Sequence, residues 1–313
     1  MNRIWFSAIA CVFLAAPVYA DSYALVLTGV AGSPEHAERF AKWTESTQKA
    51  LTDKLNFPAD HVLVLADKKA TKVEVDKAFE QLRQRVKPAD DLFIFFIGHG
   101  GADDRGYKFN LTGPDLTASE YNAMLANVLA RRTVIVIGTN SSGGAIDDLS
   151  GRNRVIITAT RSATEGNDAL FYGYFVEGLE NASSDEDKDQ RVSVWEAFRY
   201  ATQAVDRFYK EEGRLATEHA QISDNGAEKA GPVLKEAPPM ARGTYLTVQK
   251  AISVSNPRLR ALLEDKKKLE QSIEDLRLMK DTLPEAEYEK RMEALLIQLA
   301  EKNQQIREEE KKK

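Results

Sequence analysis

A histidine between glycines is the first residue of this chain that could do chemistry. His99 follows the six apolar residues 92–97 and precedes Gly100 and Gly101. An apolar run of this length, rich in Ile and Phe, predicts a strand buried on both faces of a parallel sheet. Open α/β sheets place their sites just beyond the carboxyl ends of such strands. His99 is therefore a candidate site residue, and the alternative is an ordinary loop residue after a core strand.

An acidic loop has the spacing of a calcium site. Asp185, Asp187 and Asp189 stand at positions 1, 3 and 5 of an EF-hand-type loop, Arg191 supplies the carbonyl of position 7, and Glu196 stands at position 12. This spacing directs the oxygen ligands that calcium needs toward a single ion. Gln190 replaces the glycine of position 6, and a positive φ there costs about 1–2 kcal/mol, so we expect a weakened site. The alternative is a solvated loop in which Ser193 and Glu196 cap the next helix.

The elements that must position these residues alternate along the chain. Strands are predicted at 22–28, 62–65, 91–97, 133–137 and 154–160, and helices at 34–55, 71–86, 117–130, 167–180 and 193–212. Alternation of this kind predicts an α/β fold, a three-layer sandwich around a mostly parallel sheet. No G-x-G-x-x-G follows the first strand, so the dinucleotide fingerprint is absent.

The last part of the chain differs in composition. Residues 227–255 are rich in Gly, Pro and charged residues and predict a linker, with an edge strand at 243–248. Residues 256–313 carry two apolar 3-4 patterns, separated by a capping box from Thr282 to Glu285. We expect an antiparallel, coiled-coil-like helical hairpin that docks on itself or on a partner, including a second copy of the chain. The alternative is a charged helix that is merely solvated.

The amino terminus predicts export. Arg3, the apolar residues 4–16 and the small residues up to Ala20 have the form of a secretory signal, residues 1–20. We therefore expect a periplasmic or extracellular protein whose first domain covers residues 21–226. The apolar core of the signal is too short to cross a bilayer, and no later run reaches about 18 apolar residues, so we expect no membrane span.

Composition excludes several classes of site. Cys11, the single cysteine, lies inside the predicted signal, so the exported chain would have no thiolate for a nucleophile, a disulfide or a metal site. The net charge is −5, which argues against nucleic acid as a partner. The four histidines, His36, His61, His99 and His219, lack the spacing of zinc ligands.

Two strand ends together resemble a known family. The stretch 98–101, Gly-His-Gly-Gly, ends one buried strand, and Ser-Ser-Gly-Gly at 141–144 follows the next. This arrangement resembles the caspase–legumain group of cysteine peptidases, and residues 106–110 and 223–226 are similar to legumain-type bacterial members. The resemblance spans about 22–226. It implies a caspase-like fold in which His99 is the base and a cysteine follows the next strand, inside an Asp-Ala-Cys-x-Ser-Gly-like stretch.

The nucleophile position departs from that family. Aligning Ser142 and Gly143 with the family's Ser-Gly places Asn140 where the cysteine should be, and Asn140 has no thiolate-like form. One hypothesis is an inactive pseudopeptidase that binds a peptide or protein, compatible with a structural protein that acts through its hairpin. The alternative is a hydrolase in which Thr139, Ser141 or Ser142 attacks with His99 as base. Such a base normally needs an orienting acid, and the sequence places none obviously beside it.

Overall fold

The computed structural model describes residues 20–188, 191–227, 229–231, 237–246, 256–278, 280 and 283–310. The predicted signal lies outside the described residues except for Ala20. Asp189 and Gln190 of the acidic loop and residues 247–248 of the predicted edge strand also lie outside them.

Nine strands form two sheets within the described residues. They are β1 (Ser22–Thr28), β2 (Val62–Ala66), β3 (Asp91–Ile97), β4 (Gly100–Asp103), β5 (Gly106–Phe109), β6 (Leu116–Thr117), β7 (Arg132–Ile137), β8 (Arg154–Thr158) and β9 (Gln221–Asp224). The central sheet has the order β2-β1-β3-β7-β8-β9, in which all neighbours are parallel except β8 and β9. Strands β4, β5 and β6 form a small antiparallel sheet directly after β3.

Helices connect the strands. They are α1 (Pro34–Lys49), α2 (Lys72–Arg85), α3 (Ala118–Leu125), α4 (Ile146–Leu149), α5 (Phe171–Glu180), α6 (Val194–Glu211), α7 (Pro239–Arg242), α8 (Pro257–Leu278) and α9 (Glu285–Glu310). Helix α1 continues as one π-helical segment, Ala50–Lys54. Thr117 and Glu120 form the predicted capping box of α3, but this helix ends at Leu125 rather than at residue 130. The chain must turn there to enter β7, and the buried Val128 fixes that turn against the core.

The core lies on both faces of the central sheet. On β3, Phe93, Phe95 and Ile97 belong to the hydrophobic cluster that includes residues of α1, α5 and α6. The alternate residues, such as Ile94 and Phe96, belong to a second cluster with residues of α2, α3 and α4. This alternation follows from the two-residue period of a strand. The predicted three-layer α/β sandwich is therefore confirmed.

The chain leaves the sandwich at the amino edge of the parallel strands. Arg132, the first residue of β7, donates from NH1 to the carbonyl of Gly243 at 2.7 Å. The carboxylate of Asp224 accepts from the backbone N–H groups of Met240 and Ala241, at 3.0 Å each, and holds the start of α7. Tyr245 forms an isolated antiparallel bridge with Ser193.

Helices α8 and α9 form an antiparallel hairpin, as the sequence predicted. Near its open end, Asn256 Nδ2 donates to Glu309 Oε1 at 3.1 Å, and further along Lys302 Nζ lies 3.0 Å from Asp265 Oδ2. Leu276 on α8 and Ile306 on α9 are buried, 6% and 7% exposed. Among the described helices, none combines the length and the apolar character that crossing a bilayer requires.

Candidate functional site at the carboxyl edge of the sheet

His99 lies directly after strand β3. Gly98 has a φ of +145°, which a residue without a Cβ tolerates, and it turns the chain from β3 toward β4. The imidazole of His99 is 22% exposed. Its ring packs edge-on against the rings of His36 and Phe40, with centroid distances of 4.6 and 5.1 Å. Helix α1 thus supplies one wall of the site, and solvent reaches the rest of the ring.

One hydrogen bond fixes how the His99 imidazole is protonated. Nε2 lies 3.1 Å from the carbonyl oxygen of Ala31. A carbonyl can only accept, so Nε2 carries a hydrogen and, in the neutral ring, Nδ1 carries a lone pair. That Nδ1 lies 3.6 Å from Asp168 Oδ1. The histidine therefore has the acid beside it that sequence reasoning did not locate.

Asp168 joins three side chains at this edge. Its Oδ2 lies 2.5 Å from His36 Nε2 and accepts from Arg39 NH2 at 3.2 Å. Partial burial works to raise the pKa of Asp168, but the hydrogen bonds from His36 and Arg39 outweigh it, and the pKa is lowered. Asp168 is therefore a carboxylate at neutral pH.

Asn140 follows β7 and is bound to the loop that carries His99. Its Oδ1 accepts from the N–H of Gly100 at 3.1 Å, and its Nδ2 donates to the carbonyl of Gly100 at 2.9 Å. The same Nδ2 lies 3.2 Å from the carbonyl of Gly166. Ser141 follows in the left-handed region, with a φ of 57°, and its N–H donates to the carbonyl of Glu165 at 2.8 Å. The carboxamide thus bridges the loops after β3 and β8.

The three hydroxyls near Asn140 are buried. Thr139 Oγ1 lies 2.7 Å from the hydroxyl of Tyr107 and donates to the carbonyl of Asn140 at 2.9 Å. Ser142 Oγ accepts from the N–H of Thr160 at 3.1 Å. Thr139, Ser141 and Ser142 are 0%, 5% and 0% exposed. Two of these hydroxyls therefore hold the strand-end turn together.

The acidic loop brings part of its predicted ligand set together. One carboxylate oxygen each from Asp185, Asp187 and Glu196 lies within 4.8 Å of the others. Glu196 Oε1 accepts from the N–H of Glu186 at 2.8 Å, and its Oε2 accepts from the N–H of Ser193 at 2.8 Å, which completes a capping box for α6. Residues Asp185, Asp187 and Glu196 thus lie together, and the capping interpretation of Glu196 holds at the same time.

Two other described members of that loop are Arg191 and Lys188. The guanidinium of Arg191 lies over the ring of Tyr245, 3.8 Å from its centroid. Lys188, at loop position 4, has a positive φ of 60°. Calcium binding by this loop stays a prediction.

Sequence reasoning missed His36 and Asp168, which lie 132 residues apart. Neither stands in a motif with His99. The only available signal was topological: residues just after β1, β3, β7 and β8 must meet at one edge, because these strands are parallel neighbours. Applied to every polar residue after a strand, that rule selects His36 and Asp168 together with many others.

Comparisons with known proteins identify one family for this chain. No curated protein matches the chain. A crystal structure of protein GSU0716 from Geobacter sulfurreducens is similar, with 15% sequence identity and a TM-score of 0.48 over 74% of this chain and 100% of that chain. The peptidase C13 family matches residues 64–223, just over half of the chain and including both His99 and Asn140. The chain therefore belongs to the peptidase C13 family, the legumain-type group that its two strand-end motifs resemble.

Proposed function

We propose that this protein is an exported pseudopeptidase, which binds a peptide or protein segment at the carboxyl edge of its sheet without cutting it. The observation that carries the proposal is Asn140. It stands at the aligned position of the family's cysteine, and its carboxamide is bonded to Gly100 and Gly166. A carboxamide has no accessible anionic form, so it cannot attack a peptide carbonyl as a thiolate does.

The alternative is a hydrolase in which a hydroxyl has replaced the thiol. The proximity of Asp168 to His99 favours it, because a Ser–His pair works best when an acid orients the base. The neutral His99 ring would first have to move its hydrogen from Nε2 to Nδ1, the nitrogen that faces Asp168. The surroundings of two of the three candidate nucleophiles, Thr139 and Ser142, oppose it. The Thr139 hydroxyl already donates to a backbone carbonyl, and Ser142 Oγ accepts from a backbone N–H with no exposed surface. A hydroxyl that attacks must instead point at substrate and donate its proton to the base.

A cavity of about 270 Å³ beside β8 supports the binding role. Its lining includes Arg161, Phe171, Glu218 and His219. Glu165 connects this cavity to the Asn140 turn: its carbonyl accepts from Ser141, and its carboxylate lies 2.7 Å from His219 Nδ1. A bound segment that crosses the His99 loop could place one polar side chain in this cavity.

The hairpin offers a second surface, for which we propose a second copy of the chain as partner. Leu296 and Ile297 on α9 are 47% and 52% exposed and adjacent in sequence, on a helix whose other exposed residues are Glu, Lys, Arg, Ala and Gln. Analytical ultracentrifugation over a concentration series tests this: Leu296→Lys should shift the wild-type dimer toward monomer. A monomer at all concentrations contradicts it.

The main test is peptide cleavage by the chain from residue 21 onward. Wild type, Asn140→Cys, His99→Ala and the double variant are incubated with a broad peptide library, with and without calcium, and retained peptides are measured on the immobilised protein. We expect wild type to retain peptides uncut, Asn140→Cys to cut, and the double variant not to cut. Cleavage by wild type that His99→Ala abolishes would overturn the proposal in favour of a hydroxyl nucleophile.

A further inference from the structure

Three side chains at the carboxyl edge are arranged like a metal-binding set. His36 begins α1, His99 follows β3, and Asp168 precedes α5. One donor atom from each lies within 4.8 Å of the other two. A tetrahedral zinc ion with bonds of about 2.0–2.1 Å needs donor atoms about 3.3 Å apart. His36 Nε2 lies 2.5 Å from Asp168 Oδ2, a direct hydrogen bond that would have to open by about 0.8 Å to admit the ion. His99 Nδ1 lies 3.6 Å from the other oxygen, Asp168 Oδ1, close to the required separation.

The protonation of His99 leaves a place for a cation. Nε2 donates to the carbonyl of Ala31, so the neutral ring directs the lone pair of Nδ1 toward the carboxylate of Asp168. Two acceptors that face each other at 3.6 Å repel unless a proton or a metal ion lies between them. Donation of the second ring N–H to a backbone carbonyl is also how metal-ligating histidines are usually oriented.

His36 has the same kind of outer support. Its Nδ1 lies 2.8 Å from Ser33 Oγ, the residue that caps α1. If Nε2 binds a metal, the ring hydrogen moves to Nδ1 and is donated to Ser33 Oγ, so no ring nitrogen loses its partner. The side chains of His36 and Asp168 are 22% and 44% exposed, which leaves them room to move apart by the roughly 0.8 Å that a bound ion requires.

We propose that His36, His99 and Asp168 bind one divalent transition-metal ion, with zinc as the preferred ion. Two imidazole nitrogens and one carboxylate suit zinc and its neighbours in the first transition row rather than calcium or magnesium, which prefer oxygen ligands. Three protein ligands leave a fourth position open to water or to a carbonyl or carboxylate oxygen of a bound peptide. This site is independent of whether Asn140 makes the centre inert.

Arg39 sets the strength of the site. Its guanidinium donates to Asp168 Oδ2 at 3.2 Å and lies over the ring of Trp43, 5.4 Å from the centroid. The hydrogen bond holds the carboxylate in place, but the positive charge repels an incoming cation. Removal of that charge in Arg39→Gln should therefore tighten metal binding.

The test measures binding of zinc and of cobalt to the chain from residue 21 onward after chelator treatment. Calorimetry gives stoichiometry and affinity, and the visible absorption of bound cobalt reports tetrahedral nitrogen and oxygen ligation. We expect one ion per chain in wild type. We expect the affinity for the ion to fall at least about 100-fold in His36→Ala, His99→Ala and Asp168→Asn, more than when a residue that only hydrogen-bonds a ligand is removed. His219→Ala is the matched control, because His219 is also a carboxylate-paired histidine, 2.7 Å from Glu165.

The proposal fails if wild type binds no ion stoichiometrically. It also fails if the affinity survives in His36→Ala and Asp168→Asn, or falls equally in His219→Ala. Circular dichroism of each variant establishes that it is folded before its affinity is measured. None of these results depends on peptide cleavage or retention, so they leave the pseudopeptidase proposal to its own test.

Discussion

The carboxamide of Asn140 makes two hydrogen bonds with the backbone of Gly100. Asn140 Oδ1 accepts from the Gly100 N–H, and Asn140 Nδ2 donates to the Gly100 carbonyl. A cysteine at this position could not make both bonds, because a thiol is a weak donor and a weak acceptor. The asparagine therefore gives the turn after β7 a rigid connection to the start of β4.

Truncation of this carboxamide should destabilise the fold. Asn140→Ala leaves the N–H and carbonyl of the buried Gly100 without their side-chain partner, so we expect a loss of about 1–3 kcal/mol in the free energy of unfolding. Urea denaturation measures it. Asn127→Ala is the control, since Asn127 is exposed and its Nδ2 donates only to Ala123 within the same turn; we expect a change within about 0.5 kcal/mol there. Equal stability of both variants would contradict a structural role for Asn140.

The stability of the fold should fall as the pH rises from about 4.5 to about 7. Burial raises the pKa of Glu218 to about 7, although hydrogen bonds from the N–H groups of Leu170 and Phe171 and from Tyr209 act in the other direction. The folded state thus holds a proton that the unfolded state releases near its ordinary pKa of 4.5. The stability contributed by this proton is complete below about pH 4.5 and is lost as the pH rises to 7, a change of roughly 3 kcal/mol.

Glu218→Gln separates this contribution from the others. We expect the variant to lose less stability than wild type between pH 5 and about 7.5, as measured by urea midpoints across that range. Part of the slope should remain, because burial also raises the pKa of Asp224 to about 6, with the same sign. Glu212→Gln, on the exposed end of α6, is the control and should follow wild type. A slope in Glu218→Gln as steep as in wild type contradicts the assignment.

Gly143 should tolerate no side chain. A Cβ there would lie 2.2 Å from the backbone nitrogen of Ser162 and 2.3 Å from the carbonyl carbon of Arg161, so backbone would have to move. We expect Gly143→Ala to lower the free energy of unfolding by about 3 kcal/mol or more. Gly101→Ala is the matched substitution, because no atom lies within 4 Å of its Cβ position. Thermal unfolding of the two variants side by side is the measurement, and similar melting temperatures would refute the expectation.

The acidic loop should bind calcium weakly. Asp185, Asp187 and Glu196 lie close together, but both oxygens of Glu196 already accept backbone N–H groups. We expect a dissociation constant in the range of about 0.1–1 mM, as in extracellular calcium modules. Calorimetry with millimolar calcium measures it, and Asp187→Asn should abolish the heat. Asp147→Asn, an exposed acid paired with Lys229, is the control. Absence of heat in wild type removes the calcium prediction.

The sequence predicted the scaffold better than the site. The apolar run of β3 predicts a strand buried on both faces, and few sheet topologies fit the alternation of strands and helices. The positions of His99 and Asn140 at strand ends therefore followed from the local sequence pattern. His36 and Asp168 could not be found in that way. Each is an ordinary polar residue in its own loop, and only the parallel order of β1, β3 and β8 brings the loops together.

Helix α3 illustrates the same limit at an element boundary. Its start at Thr117 is encoded by a capping box, which is local. Its end at Leu125 depends on the turn into β7 and on burial of Val128, which are set by the rest of the fold. A 3.6-residue pattern that continues past Leu125 therefore overestimates the helix.

The hydrogen bond from Arg132 to Gly243 places the start of the hairpin segment and the His99 site at opposite edges of the sheet. It fixes the outgoing chain at the amino edge of the sheet, and α8 lies against α7 there. His99 and Asn140 lie at the opposite edge, a strand of six residues away, which is about 20 Å. A partner that binds where the chain enters the hairpin and a segment beside His99 would therefore lie at opposite edges of the sheet. If both proposed surfaces are used, one molecule would link two partners.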